Sequence, residues 1–407
     1  MTQKMSSSDQ AAASAFQAIV VGAGPAGLAT GLALAHCGLR CAVAGPVSDP
    51  YDGRTAALFQ GSITFLQNIG AWDAIKDQAE PLKAIRLIDA TGGLMRAPEV
   101  TFWASEIGHP VFGYNVPTGG LSAALERATQ GRLTRIVTAG VKHIETGPDA
   151  VSIETAEGAR FSASLVAGAD GRGSASRAAA GIQTTSWPYP QSAVCCTFTH
   201  MRDHQGISTE LHRRAGPLTV VPMPGRGSSL VWVDTPEEAK RLGDLSDRDF
   251  AAELSQHLGG LLGALSAFTP RRIFPLSGQS AKVLGQNRIA LIGEAGHIIP
   301  PIGAQGLNLS LRDAATLAEL ASDAVAKGQD PGSAMLLAEY GRRRQRDVTG
   351  RVWTIDLMNR SLLSGLLPVH LARGAGLVAL KAIAPLRHMV MREGMAPSYA
   401  TPRLMQV

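Results

Sequence analysis

Gly22-Ala23-Gly24-Pro25-Ala26-Gly27 sets three glycines at the spacing G-x-G-x-x-G. The loop directly follows a β-rich run, Phe16 to Val21, and opens an apolar helical pattern, Gly27 to Gly38. In that context backbone N–H groups and a helix N-terminus hold a pyrophosphate. Gly22 permits the tight turn, Gly24 lets a phosphate approach the backbone, and Gly27 lets helix and strand pack closely; Pro25 and Ala26 belong to the same loop. A plain turn is the alternative. One expected partner is missing, because a second strand should end in an acid for the ribose hydroxyls, yet this one ends Val43-Ala44-Gly45-Pro46, with Asp49 several residues beyond.

Two further loops carry chemistry. Leu165 to Arg177 reads as a strand ending in D-G-x-x-S-x-x-R, from Asp170-Gly171 through Ser174 to Arg177; a turn followed by a helix cap would also fit Asp-Gly and Ser174. Arg288 to Ile292 is a buried strand ending Gly293-Glu294-Ala295-Gly296-His297. It continues into Pro300-Pro301-Ile302-Gly303-Ala304-Gln305-Gly306-Leu307-Asn308, a Pro/Gly-rich loop feeding a helix. Such a helix start offers free N–H groups and a positive dipole end. His297 invites a catalytic reading as a proton-transfer group, set against the commoner one of a hydrogen-bonded structural histidine.

These three motifs, in this order, resemble the class A flavoprotein monooxygenases, whose fold is that of p-hydroxybenzoate hydroxylase. Pro300 to Asp313 is similar to the signature of the ubiquinone-biosynthesis hydroxylases of the UbiH/UbiF type, as are Tyr340-Gly341-Arg342-Arg343-Arg344, Asp356-Leu357-Met358-Asn359-Arg360 and Met391-Arg392-Glu393-Gly394. The resemblance implies an FAD site built from Gly22, Gly24, Pro25, Ala26, Gly27, Arg54, Asp170, Gly293, Glu294, Pro300, Gly303, Gly306, Leu307 and Asn308. Arg54 would lie near the flavin, Asp170 near both FAD and the NAD(P)H path, and the acid after Gly293 on the ribityl chain. That acid is Glu294, whose extra methylene carries the carboxylate about 1.5 Å further out. The implied reaction uses NAD(P)H and dioxygen to hydroxylate a polyprenylated phenol in ubiquinone biosynthesis, and the helix start after Asn308's loop would stabilise a reduced isoalloxazine. Another aromatic substrate, or a non-catalytic FAD-binding scaffold among ubiquinone-biosynthesis proteins, remain the rival readings.

The elements that must position these loops read as an α/β protein. A Rossmann-type FAD-binding domain is expected over 16–75, 100–185 and 281–335. A β-rich substrate domain is inserted as 76–99 and 186–280, and a helical C-terminal region covers 336–407. Strands are expected at Arg40 to Ala44, Ala84 to Ile88, Ile136 to Ile144, Ala150 to Thr155, Arg160 to Ala167, Ala193 to His200, Leu218 to Pro222 and Ser229 to Asp234. Helices are expected at Gly119 to Ala128, Asp247 to Leu262 and Gly306 to Ala326. Residues 1–15, small and polar, read as a disordered leader. No second nucleotide-binding glycine loop is visible, which agrees with NAD(P)H as a transient co-substrate. Trp232-Val233-Asp234-Thr235-Pro236 lacks the W-x-W-x-x-P of a flavin halogenase.

Composition agrees with this organisation. At 407 residues the chain exceeds one ordinary domain, and 45% hydrophobic against 17% charged residues describes a globular protein with an apolar surplus. The net charge of +5 is local, since Arg342 to Arg392 holds ten Lys/Arg against two Asp/Glu. That basic stretch interleaves with Leu362, Leu363, Leu366, Leu367, Leu371 and Leu377, so it reads either as a solvated helical face or as a peripheral contact with the cytoplasmic face of the inner membrane. Leu362 to Ala384, broken by His370, Arg373 and Lys381, cannot span a bilayer. Cys37, Cys41, Cys195 and Cys196 have neither metal-ligand nor redox-pair spacing and read as reduced thiols of a cytoplasmic protein. No metal site and no nucleic-acid partner are expected. Trp103, Trp187 and Trp232 are candidates for an aromatic-substrate pocket or for ordinary core and rim.

Overall fold

The computed structural model describes residues 15–47, 53–92, 98–364, 367–395 and 401–406. Most of the expected leader, with Asp49 and Asp52, lies outside the described residues. Ala15 already belongs to the first strand, Ala15–Val21.

An eight-stranded sheet carries the motif loops. Its main path runs Gly285–Gln286, Ile289–Leu291, Arg160–Gly168, Ala15–Val21, Cys41–Gly45 and Thr134–Val137. The last five are mutually parallel, and Val151–Thr155 and Val141–Thr146 extend the sheet antiparallel beside Arg160–Gly168. Ala18, Ile19, Val20, Ala42, Val43, Leu165, Val166 and Ala290 are fully buried, as expected where helices cover both faces of a parallel sheet. The helix Pro25–His36 is buried from Gly27 to Leu34 because it packs between this sheet and the helix Gln305–Ala326. One expected strand divides: Ile136 to Ile144 becomes Thr134–Val137 and Val141–Thr146. Thr138 Oγ donates to Gly140 O at 2.8 Å and Ala139 N–H to Glu157 Oε1 at 3.0 Å, which bends the chain out of line between them.

The second sheet has nine strands, with the main order His297–Ile298, Arg272–Ala281, Thr184–His200, Gly227–Asp234, Pro217–Met223, Ile207–His212, Ala84–Asp89 and Val100–Trp103. Val100–Trp103 pairs antiparallel with Ala84–Asp89, so a strand placed beyond the 76–99 insertion by sequence lies in this second sheet. Thr184–His200 begins nine residues before the expected Ala193. Pro188 and Pro190 hide the extension, and the pairing with Arg272–Ala281 shifts register between Pro188 and Ser192. One face of this sheet is covered by Pro236–Asp244 and Asp247–Leu258, with Val194, Cys196, Phe198, Leu218 and Trp232 packed against Phe250 and Leu254. A three-stranded sheet, Thr55–Phe59, Gly113–Pro117 and Glu80–Leu82, stands on the other face, where Thr55 Oγ donates to Ser229 Oγ at 2.8 Å.

The C-terminal helices Ala334–Leu363, Leu367–Ala382 and Ala384–Met395 complete the molecule. Tyr340 OH donates to Leu291 O at 2.7 Å, and Asp356 accepts from Tyr189 OH and from Trp187 Nε1 at 3.1 Å. Those contacts bolt the 334–363 helix to both large sheets.

Candidate active site

Strand register brings the three motifs together. Val21 pairs with Gly168 on one side and Ala44 on the other, and Gly168 pairs with Leu291. The loops starting at Gly22, Ala169 and Ile292 therefore leave the carboxyl edge of the sheet side by side, about 4.8 Å from strand to strand. Gly22 N–H donates to Ala44 O at 2.8 Å, Ala169 N–H to Val21 O at 2.8 Å and Ile292 N–H to Gly168 O at 2.9 Å. This is where open α/β sheets take their ligands.

Each glycine of the first loop answers to a measurable constraint. Gly22 has φ +109°, and a Cβ there would lie 2.2 Å from Ala169 O. At Gly27 a Cβ would lie 1.9 Å from Gly22 O, whereas at Gly24 it would meet nothing within 4 Å. The first and third glycines are thus fixed by protein against protein, and the second by space left for something else. Gly24 caps the helix Pro25–His36 with no side-chain hydrogen bond, so the first-turn N–H groups remain available to a phosphate. The residues present fit a pyrophosphate. Gly45, where a ribose-binding acid was expected, packs on the same loop: a Cβ there would lie 2.8 Å from Ala23 N. Sequence reasoning passed over Arg135, whose guanidinium closes this strand end by donating to Val43 O at 2.8 Å while paired with Glu126 at 2.7 Å.

Asp170 has both oxygens engaged inside its own loop. Oδ1 accepts from Ser174 Oγ at 2.6 Å and Oδ2 from Ser176 N–H at 2.9 Å. Arg177 then donates to Ala295 O at 2.8 Å and to Arg172 O at 2.9 Å. The D-G-x-x-S-x-x-R segment is a helix cap and also a clasp that fixes the second loop to the third.

In the third loop Gly293 takes φ +59°, and a Cβ would lie 2.6 Å from Ser310 Oγ. Glu294 is exposed beside it. His297 is only 3% exposed and its Nε2 lies 2.7 Å from Asp313 Oδ2, which is the structural position weighed against its proton-transfer reading. Asp313, fully buried, also accepts from Gly293 N–H at 3.0 Å and Arg344 Nε at 2.7 Å. Arg344 and Arg351 both pair with Asp347, and Arg312 Nε lies 3.4 Å from it. The sequence signals this buried network only by charge inside an otherwise apolar helical pattern, at Arg312-Asp313 and Arg342-Arg343-Arg344.

Pro300 and Ile302 are buried, Gly303 and Gly306 exposed, and Leu307 half-buried, in a loop that turns at Ala304 with φ +54°. Asn308 holds that loop. Its Oδ1 accepts from Phe59 N–H at 2.9 Å and Ser62 Oγ at 2.7 Å, and its Nδ2 donates to Ala57 O at 2.8 Å and Ala304 O at 2.7 Å. Asn308→Leu strands these buried partners, each costing about 1–3 kcal/mol when unpaired. We expect a loss of roughly 3 kcal/mol in a denaturant titration, with Asn308→Asp intermediate because its acceptor oxygen survives.

Arg54 reaches toward the nine-stranded sheet, its guanidinium 5.5 Å from the centre of the Phe274 ring. Cys195 shares that face, its thiol pushed up to about 11 by burial despite the nearby Arg54 charge. Two of the three tryptophans lie away from this side, Trp232 1% exposed in the core beneath Phe250 and Trp103 41% exposed at the sheet edge, whereas Trp187 bonds Asp356 and packs against the same apolar cluster as Cys195 and Val231. A cleft of about 270 Å³ lined by Arg86, Arg202, His204, Thr209, Val220 and Ser228 opens on the opposite face of the sheet. Among the described residues no group of His, Cys, Asp and Glu is placed to hold a metal ion.

Residues 15–352 match a family model described as FAD binding domain. The chain is 34% identical to the ubiquinone hydroxylase UbiL of Rhodospirillum rubrum, over 95% of this chain and 92% of that protein. It is 28% identical to the 3-demethoxyubiquinol 3-hydroxylase of Escherichia coli, over 92% and 96% respectively. Of solved structures, p-nitrophenol 4-monooxygenase PnpA from Pseudomonas putida superposes with a TM-score of 0.76 at 20% identity, covering 95% of this chain and 100% of that one. HpxO of Klebsiella pneumoniae, solved with FAD and uric acid, gives 0.73 at 19% identity over 95% and 98%. These two likenesses establish a common fold.

Proposed function

This chain belongs to the FAD-binding-domain flavoproteins that include the ubiquinone hydroxylases, and we propose on that premise that it hydroxylates the aromatic ring of a polyprenylated phenol, with NAD(P)H and dioxygen as co-substrates. It is an FAD-dependent hydroxylase of ubiquinone biosynthesis. The observation that carries the finer reading is the convergence of the Gly22, Asp170 and Gly293 loops at one sheet edge, together with Arg54 lying over Phe274 of a second sheet.

FAD supplies the redox chemistry that turns dioxygen into an electrophilic oxygen donor. The chain's own part is to bind, aim and exclude water. Gly24 and the N-terminus of Pro25–His36 would hold the pyrophosphate, while Gly22 and Gly27 keep the turn tight enough to present those N–H groups. Glu294 would meet the ribityl hydroxyls. Gly303, Gly306 and Leu307, set by Asn308, would present the uncapped start of Gln305–Ala326 to the flavin, where its positive dipole end would favour the anionic reduced form. Arg54 would add a positive charge near the flavin.

The test is quinone profiling by mass spectrometry of a strain lacking this protein. A prenylated intermediate short of one hydroxyl is expected, and the purified enzyme should convert it to a product one oxygen heavier. An unchanged profile would point to another aromatic substrate, and no NAD(P)H-driven oxygen consumption with any prenylated phenol to a scaffold.

The reading includes a peripheral membrane contact. No helix among the described residues is long and apolar enough to cross a membrane. Trp353 and Leu357, each 69% exposed, with Val378, Ile383 and Met389, form apolar points on the basic C-terminal helices. Trp353→Glu with Leu357→Glu should lower cosedimentation with phosphatidylglycerol vesicles about tenfold or more, since each inserted side chain contributes about 1.5–3 kcal/mol. Undiminished binding would remove that surface from the reading.

A further inference from the structure

Strand register decides which side chains of the nine-stranded sheet face the flavin domain. Glu210 pairs with Thr219, Thr219 with Val231 and Val231 with Cys195, so these four side chains form one row on one face. Ser229, which accepts from Thr55, and Phe274, which carries Arg54, lie on that same face in neighbouring rows. Glu210 therefore looks toward the flavin domain, although its strand lies three strands from Cys195.

That face is walled on three sides. The strands Thr55–Phe59 and Gly113–Pro117 abut it at Ser229. The helix Ala334–Leu363 closes a second side, where Asn359 Nδ2 donates to Gln191 Oε1 at 2.8 Å. Leu377 and Met391 of the last two helices cover Val100, Phe102, Ile85 and Leu87 on the third. Between the walls Cys195, Thr219, Val221, Val231 and Phe274 stay partly exposed in mid-sheet, which leaves a partly open, largely apolar patch of the sheet there.

Glu210 is 8% exposed and His212, two residues on and so on the same face, 5%. His212 Nε2 lies 2.7 Å from Glu210 Oε1. Among the described residues no hydrogen bond reaches Oε2. A carboxylate buried in this way costs several kcal/mol unless it is paired, and His212 engages only one of its two oxygens.

We propose that Glu210 is a catalytic residue that accepts the proton of the substrate's phenol hydroxyl, with His212 as the positioning residue that orients it. The inference rests on the functional reading above. When the ring carbon donates its electron pair to the incoming oxygen atom, the phenol C–O bond becomes a carbonyl and its O–H bond breaks. The proton passes to Glu210 Oε2. The second oxygen atom of dioxygen leaves as water, with electrons from NAD(P)H, and loss of the ring C–H proton restores aromaticity. A base placed to take a proton in such a transition state contributes about 10²–10⁴-fold. Thr219 and Val231, in the same row, would floor the ring beside it.

The experiment uses the FAD-loaded full chain with 2-farnesylphenol, a ring-fluorinated and more acidic analogue, and the O-methyl ether as probes. Glu210→Gln should bind 2-farnesylphenol within about threefold of wild type by equilibrium dialysis and keep its rate of flavin reduction. Hydroxylated product per NAD(P)H oxidised should fall about 100-fold, with hydrogen peroxide in its place. The deficit should shrink about tenfold on the fluorinated phenol, whose proton leaves more readily, and vanish on the ether, which has none. His212→Asn should show a weaker version of the same pattern, and serves should Glu210→Gln fail to fold. Equal losses on phenol, fluorophenol and ether, or unimpaired coupling, overturn the proposal while leaving the hydroxylase reading intact. A wild-type protein that reduces its flavin yet hydroxylates no prenylated phenol overturns both.

Discussion

Asp313→Ala should destabilise the protein by about 3–5 kcal/mol, because it leaves the Arg344 guanidinium buried without its closest counter-charge. Domains hold only about 5–15 kcal/mol in total, so the variant is expected to be largely insoluble or to melt far below wild type. The loss should reach the cofactor as well, since Asp313 also holds the Gly293 N–H and His297. Asp313→Asn keeps shape and one acceptor and should fall between the two; a variant melting with wild type would show that the network carries no net stability.

The same network sets the acid limb of stability. Burial raises the Asp347 carboxyl, but the Arg344, Arg312 and Arg351 guanidiniums outweigh it and bring the group down to about 2. A carboxyl depressed in the folded state stabilises fully above its ordinary range and loses that contribution as pH falls through its folded value. About 2 kcal/mol should therefore disappear between about pH 4 and pH 2. Thermal midpoints measured down that range should fall less steeply in Asp347→Asn, which starts lower.

Gly27→Val is the second large effect. Its Cβ would sit 1.9 Å from Gly22 O, and no rotamer relieves a backbone clash, so strand and helix must part. Both the apoprotein melting temperature and FAD affinity should drop, the latter by about 100-fold or more, which is about 2.7 kcal/mol. Gly24→Ala provides the contrast. Its Cβ meets no protein atom within 4 Å, so the apoprotein should melt as wild type while FAD binding weakens. If Gly24→Ala bound FAD normally, the pyrophosphate would not sit over that residue.

The glycine loop was legible in sequence because its constraints are local: a strand end, a turn and a helix start within a few residues. The strands that carry the second and third motifs were legible for a similar reason, being short apolar runs stopped by glycine. Thr184–His200 was read too short because its prolines argue against a strand, and the long pairing with Arg272–Ala281 overrules them. The two strands between residues 134 and 146 were read as one because the break depends on Glu157, contributed from a later turn.

By itself the sequence determined that Gly22 to Gly27 forms a tight glycine loop of dinucleotide-binding type and that the basic, leucine-containing tail is helical; backbone sterics and helical periodicity act over a few residues and need no partner. Tertiary structure decided the rest. Asp313, Arg344 and His297 are far apart along the chain and meet only because two helices and a strand end pack together, where low polarity makes pairing obligatory. Which face Glu210 and His212 present follows from the register of four strands, and a shift of one residue in any of them would turn the pair away from the flavin.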